Sequence, residues 1–424
     1  MEHRQSAELY QRAAASTPGG VHSNTRARSP HPIYFERAEG PYLYDVDGNR
    51  YLDFVLGNGA IILGHGNPEV QQAVAAVIAQ GLTTGSETRL AVEAAELLLQ
   101  QVPTAEMVRF ANSGTEAVMH ALELARSATG RRRVAKVEGA YHGWDSQMYV
   151  SAWPDLGLAG PSEAPQPVPA HKGLDADVAR STIILPFNDV AATRRIVEEH
   201  ADELAAVIVE PVMMDIGYVE ATREYIHELR RITKDHGIVF IFDELLTGFR
   251  VAPGGAQSHY GVTPDLSTFG KAIANGYAVA AVAGRREIMD EARPGGSCAW
   301  VGTFNGHAVS MAAVGATLRQ FEGGGVWRAL QERMTYLEQR FARRAKERGV
   351  DVVLRGRGGN FHWYFTAESV QDYRSAATSS TERYQQFAKT AAERGIHLAP
   401  GTLSHHSLTV AHEQEHLDAF VDCL

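Results

Sequence analysis

The chain has 424 residues, 44% hydrophobic and 8% aromatic, enough for two or three packed units and far from a disordered or fibrous composition. Forty Lys+Arg against fifty Asp+Glu leave a net charge of −10, so no global basic field draws a nucleic acid or an anionic membrane. The only cysteines, Cys298 and Cys423, exclude a disulfide framework and a Cys-rich zinc ribbon. With Glu2, Arg4, Glu8 and Arg12 at the start and no apolar run of about 18 residues, neither a signal peptide nor a membrane span is expected, and the expected location is the cytoplasm.

In chain order, the first pattern is the alternating run Tyr42-Leu43-Tyr44-Asp45, a turn at Asp47-Gly48-Asn49 and a second run Tyr51-Leu52-Asp53-Phe54, which predicts a β-hairpin. Next come a strand over 107–111, a helix over 115–129 closed by Gly130, and a strand over 134–137. The stretch 151–175 is rich in Pro, Gly and Ala without periodicity and reads as a long surface loop, suited to a lid. Beyond it, the pattern predicts helices over 190–204 and 223–236 and strands over 205–210, 238–242, 266–269 and 278–283. Strands apolar on both faces and separated by helices predict an α/β fold with a mostly parallel sheet covered on both sides. This large domain takes residues 60–310. Residues 1–59 and 311–424 are assigned to a smaller α+β domain built from both ends. Its C-terminal part carries a long helix over 326–348, strands near Val352 and Phe361, a helix over 381–394 and a terminal helix from His412.

Three features fall at the carboxyl edge of the expected sheet. Asn112-Ser113-Gly114-Thr115-Glu116 lies between a strand and a helix, where backbone N–H groups and two hydroxyls converge on an anion, although alone such a motif is more often an ordinary N-cap. Ile241-Phe242-Asp243-Glu244 ends an apolar strand with a carboxylate, where ligands of open α/β sheets bind, although a single loop Asp more often caps a backbone. Lys271, in Thr268-Phe269-Gly270-Lys271-Ala272, ends the next apolar strand, a place where a lone Lys is usually solvated. Together, a phosphate cup, a carboxylate and a lysine on one sheet edge meet the needs of pyridoxal 5′-phosphate (PLP). The lysine forms the Schiff base, the carboxylate keeps the pyridine nitrogen protonated so that the ring accepts electrons, and the helix N-terminus takes the phosphate.

Further motifs extend the pattern: Pro18-Gly19-Gly20-Val21, Tyr42 to Gly48, Leu63-Gly64-His65-Gly66-Asn67-Pro68, Glu138-Gly139-Ala140-Tyr141-His142-Gly143, Val209-Glu210-Pro211-Val212, Asp243 to Arg250, Gly302-Thr303-Phe304-Asn305-Gly306 and Leu398-Ala399-Pro400. In this order, and over nearly the whole chain, they resemble the class III, fold type I PLP-dependent aminotransferases, most closely the glutamate-1-semialdehyde aminomutase group. The resemblance implies that Lys271 carries the cofactor and shuttles the proton, with Asp243 as partner of the pyridine nitrogen. It implies that Ser113, Gly114 and Thr115 take the phosphate, that Tyr141 stacks on the ring, and that Leu245 covers the other face. His142 and Glu210 are counted with the cofactor residues, Glu210 standing with Arg250 behind those in contact. Thr303 resembles the residue that reaches the phosphate from a neighbouring subunit, so a homodimer with shared sites is implied. Arg26, in Gly20-Val21-His22-Ser23-Asn24-Thr25-Arg26, matches the position that holds the substrate carboxylate, for which a planar guanidinium is suited. Without the resemblance, Tyr141 is also a plausible core aromatic and Arg26 a surface charge.

Two segments depart from the aminomutase pattern. Leu56-Gly57-Asn58-Gly59-Ala60 replaces a Ser-Trp-Gly-Pro-like segment, and Gly401-Thr402-Leu403-Ser404-His405-His406 replaces an Ala-Phe-Glu-Ala-Gly-Phe-like run after Ala-Pro. Asn58, counted as substrate-binding, and the His pair are expected to reshape the pocket. The favoured activity is therefore transamination between a carboxylate-bearing amine, such as a β-amino acid, and a keto acid by ping-pong chemistry, with the aminomutase as runner-up. A remote alternative comes from His412-Glu413-Gln414-Glu415-His416, which fits the H-E-x-x-H pattern of zinc hydrolases if it lies on one helix. Such a zinc needs a third protein ligand, and Asp418 and Asp422 are the only carboxylates downstream, so no metal is expected.

Overall fold

The structure, a computed structural model, describes residues 2–82 and 85–424. Its central sheet has seven strands: β1 (Met107–Ala111), β2 (Arg133–Val137), β3 (Thr182–Leu185), β4 (Leu204–Val209), β5 (Val239–Asp243), β6 (Leu266–Gly270) and β7 (Ala280–Gly284). Their spatial order is β1-β7-β6-β5-β4-β2-β3. Strands β2 to β6 pair in parallel, whereas β7 runs antiparallel to both β6 and β1. The chain between β6 and β7 is too short for the crossover of about a dozen residues that a parallel neighbour needs, so it reverses instead. Every residue of β4, β5, β6 and β7 is buried, which is why β4, β7 and β5 up to Asp243 read as continuous apolar runs.

Helices cover both faces. Gly114–Thr129 turns Ala117, Val118, Ala121, Leu122, Leu124 and Ala125 inward, starts on a Ser113 cap and ends at Gly130, whose φ of 69° suits a glycine. On the opposite face Arg223–Asp235 buries Tyr225, Ile226, Leu229 and Ile232. Strand β3 has no counterpart among the expected elements. The preceding stretch 151–175 contains no helix or strand, yet it is pinned: Ser151 N–H donates to Val168 O, and Leu174 packs with Val150, Ala179 and Ile184.

The N-terminal hairpin forms as expected, Tyr42–Asp45 pairing antiparallel with Arg50–Asp53 around Gly48 at φ 86°. Its second strand also pairs in parallel with Ile396–His397, so distant parts of the chain share one small sheet. The terminal helix is Gln414–Val421, beginning after His412. Glu413 and His416 form a reciprocal cap at its start, and Thr409 N–H donates to His412 Nδ1 at 3.1 Å. The expectation of a terminal helix from His412, and with it the placing of His412 and His416 on one helix, is thereby corrected, because the cap leaves His412 outside the helix; both Nδ1 atoms are committed to backbone N–H groups. Among the described residues the only cluster of three possible metal ligands is His3, Asp45 and Asp47, and both of these carboxylates accept backbone N–H groups. No helix among the described residues is long and apolar enough to cross a membrane.

Candidate active site

The carboxyl ends of β5 and β6 and the start of the Gly114–Thr129 helix open onto one cavity of about 1510 Å³. Asp243, the last residue of β5, is 3% exposed and sits at its floor. Its Oδ2 lies 2.8 Å from His142 Nδ1, and its Oδ1 accepts Leu245 N–H at 3.1 Å and the Thr268 hydroxyl at 3.0 Å. Burial pulls His142 below the usual imidazole range despite Asp243, so a neutral ring donates to the carboxylate, and its buried Nε2 has no partner among the described residues.

Lys271 follows β6 directly, lines the cavity and has a φ of 48°, a left-handed conformation that costs a non-glycine residue about 1–3 kcal/mol. Gly270 before it is a required close approach, since a Cβ there would stand 2.7 Å from Leu245 Cδ2. No hydrogen bond among the described residues occupies the Lys271 ammonium, which leaves it available for covalent chemistry.

At the helix start, Ser113 Oγ accepts Glu116 N–H at 3.2 Å. This leaves Gly114 and Thr115 N–H without acceptors among the described residues, at the positive end of the helix dipole and in the cavity wall. Thr115 Oγ1 accepts Trp144 N–H at 3.1 Å, and Gly143, at φ 91°, packs so tightly that a Cβ would lie 2.8 Å from Thr115 Cα. Leu245 closes the other side, touching Gly114 where a Cβ would meet its Cδ1 at 2.6 Å. Orphaned N–H groups fit a phosphate, the buried carboxylate fits a protonated pyridine nitrogen, and the free lysine fits an aldehyde, so these residues suit PLP.

Glu210 Oε1 accepts Tyr141 N–H at 2.9 Å and its Oε2 accepts Met214 N–H at 3.2 Å. Burial, reinforced by Asp215 and Asp243, raises its carboxyl far above the ordinary range. The Tyr141 ring stacks on Trp153 with centroids 5.3 Å apart, and burial pushes its hydroxyl up to about 12. Below them lies Lys136, fully buried in β2, whose Nζ donates to Ala140 O, Met148 O and Val150 O at 2.7, 2.7 and 2.9 Å. Burial pulls its pKa down to about 7. It braces the loop that carries Tyr141 and His142. The expected site residues omitted it, although a lysine inside Val134-Ala135-Lys136-Val137 was a visible signal.

Gly114, Thr115, Tyr141, Glu210, Asp243, Leu245, Lys271, Arg26 and Asn58 all line the cavity; Ser113 and His142 stand behind its wall. Arg26 is exposed at the mouth, while Arg28 is committed to Leu398 O. Arg250 is fully buried and donates to Gly59 O, Ile61 O and Leu408 O, so it holds the Leu56–Gly59 turn that presents Asn58. Thr303 is exposed and does not reach the cavity of its own chain; it is flanked by Val301, 81% exposed, and Phe304, 61% exposed. Asp215, Trp153 and His405 also line the cavity.

The family model "Aminotransferase class-III" matches residues 23–424. The glutamate-1-semialdehyde 2,1-aminomutase of Methanothermobacter thermautotrophicus is 40% identical over 417 residues, 98% of this chain and 97% of that protein. Among solved structures, an omega-transaminase from Sphaerobacter thermophilus is similar with a TM-score of 0.94 and 36% identity, covering 99% of this chain and 95% of the other. A β-phenylalanine aminotransferase from Variovorax paradoxus is similar with a TM-score of 0.88 and 29% identity, covering 99% and 92%.

Proposed function

Because the chain belongs to the class III aminotransferases, whose cofactor is PLP, we propose that it is a transaminase moving an amino group between a carboxylate-bearing amine, such as a β-amino acid, and a keto acid. One observation carries this reading: Asn58 and His405, where the chain departs from the aminomutases, line the same cavity as Asp243 and Lys271, which do not depart. We read Asn58 and His405 as the substrate's side of the cavity and Asp243 and Lys271 as the cofactor's. The likeness to an omega-transaminase and a β-phenylalanine aminotransferase supports the same choice.

Bound in this cavity, PLP supplies the electron sink that acidifies the proton on the amine-bearing carbon. Lys271 holds the cofactor and then, as a free amine, moves that proton. Asp243, oriented by His142, keeps a positive charge on the pyridine nitrogen. Gly114 and Thr115 N–H bind the phosphate on a helix start that Ser113 shapes, Leu245 and Tyr141 flank the ring, and Glu210 fixes the Tyr141 backbone. Arg26 takes the substrate carboxylate and Asn58 shapes its pocket. Thr303 completes the phosphate site of a second subunit, and the apolar Val301 and Phe304 beside it are the surface that a homodimer buries.

The aminomutase reading retains one specific support, the 40% identity over nearly the full chain. A half-reaction screen separates the two: the PLP form is mixed with α-, β- and γ-amino acids without an acceptor, and conversion to the pyridoxamine form is followed. Stoichiometric keto product from a β- or α-amino acid is expected. If only glutamate-1-semialdehyde reacts, giving 5-aminolevulinate without an external acceptor, the aminomutase reading stands instead.

A further inference from the structure

His405 is not among the residues assigned above to the cofactor, yet its side chain is only 5% exposed and lines the reaction cavity beside Lys271. Its Nδ1 points toward Asp215 Oδ1 at 3.7 Å, beyond hydrogen-bond reach, and among the described residues it has no hydrogen-bond partner. Its Nε2 faces the Leu56–Gly59 turn, where a Cβ on Gly59 would stand 3.6 Å away, and the Asn58 backbone there favours a protonated ring. A neutral imidazole with Nε2–H toward that turn sets the Nδ1 lone pair against a carboxylate. Such a gap is filled by a proton donor. Asp215, 24% exposed in the cavity wall, supplies the charge to draw one in.

An amine substrate brings that donor. The amine of a β-amino acid has a pKa of about 10, like a lysine side chain, so at neutral pH only about one molecule in a thousand is unprotonated and able to attack. Resting on the transaminase reading, we propose that His405, backed by Asp215, accepts the proton the incoming ammonium must lose. An N–H bond of the ammonium breaks and its electron pair stays on the amine nitrogen. The proton bonds to Nδ1, and Asp215 offsets the imidazolium charge, so the total charge in the cavity is unchanged. Asp215 acts here by charge, on the side of the nitrogen that takes the proton, and stabilises the imidazolium that forms.

The other groups facing His405 fit a ring that waits unprotonated. Burial is the largest influence holding its pKa below the ordinary value, and Lys271 and Arg250 act the same way, while Asp215 opposes them. His362 and His406, which His405 influences in turn, are themselves held neutral by burial.

The test uses the holoenzyme, its His405→Gln variant and its Asp215→Asn variant, with rapid mixing followed by cofactor absorbance. One probe is β-phenylalanine, an ammonium at neutral pH. The other is hydroxylamine, which is already mostly unprotonated there and so need not shed an ammonium proton before it attacks. His405→Gln should slow the reaction with β-phenylalanine about 100-fold at neutral pH, the deficit shrinking as pH rises, and should change the hydroxylamine rate less than about threefold. Asp215→Asn should produce a smaller loss of the same selectivity, which keeps the proposal testable if His405→Gln does not fold. Equal losses for both probes, no loss for either, or an unmodified enzyme whose cofactor ignores β-phenylalanine would overturn it. Absorbance changes with β-phenylalanine that never lead to the pyridoxamine form would remove the transaminase reading and leave the His405 role standing.

Discussion

Asp243 and His142 form a buried pair, Oδ2 to Nδ1 at 2.8 Å, in which the imidazole fixes the carboxylate from behind while the cavity lies in front. Replacing the carboxylate with an amide preserves shape and removes charge. Asp243→Asn should therefore still bind PLP but slow the half-reaction at least about 100-fold, the scale of losing one preorganised electrostatic partner. Stopped-flow absorbance checks this, and unchanged kinetics would rule out the electron-sink role.

Arg26 is exposed at the mouth, whereas Arg28 is tied to Leu398 O, so Arg26 is the guanidinium free to meet a carboxylate. A desolvated charge pair is worth about 2–5 kcal/mol when one member is truncated, and an exposed arginine belongs at the low end. Arg26→Ala should raise KM at least about tenfold for amino acids and leave a simple arylalkyl amine unaffected. Equal losses for both would make Arg26 structural.

The exposed Val301 and Phe304 flank Thr303 and give a dimer something to bury. A double substitution to Asp should yield monomers by sedimentation, and those monomers should lose PLP on dialysis. Thr303→Ala should leave the dimer intact and weaken PLP alone. A monomer that keeps its cofactor and full activity would contradict the shared phosphate site.

Burial holds His362 and His412 down to about 3 and His397 to about 4. Unfolding restores their ordinary value near 6.5, so between that pH and about 4 the unfolded chain binds protons that the folded chain refuses. Stability is therefore intact above about pH 6.5 and falls as pH drops, by up to about 1.4 kcal/mol per pH unit for each group. Urea unfolding between about pH 5 and 7.5 should show this slope. His362→Leu should reduce it by about one group's share.

The parts legible in sequence were those governed by local rules. Strands β4 and β5 announced themselves as unbroken apolar runs, and the Gly114–Thr129 helix by its Ser113 cap and Gly130 stop. Asp243 and Lys271 stood out because each interrupts apolar sequence at a strand's end. What stayed hidden depends on partners far along the chain. The four residues of β3 follow an aperiodic stretch, and the reversal of β7 follows from connection length and pairing partners. Asp215 acquires meaning only when folding brings His405 opposite it. His412 looked helical by spacing, but the Glu413 cap starts the helix after it.

The parallel pairing of Arg50–Asp53 with Ile396–His397 sets an order of assembly. The hairpin is complete early in synthesis, but Leu52 and Asp53 must wait for Ile396 and His397, more than three hundred residues later, before their outer edge is covered. Contacts so distant in sequence form late, after the local ones that build the central sheet. The wall that carries His405 is thus among the last parts of the cavity to be put in place. Loss of residues 396–424 should therefore remove His405 and also uncover the core that Leu408, Leu417 and Phe420 fill beside Phe269 and Ile273.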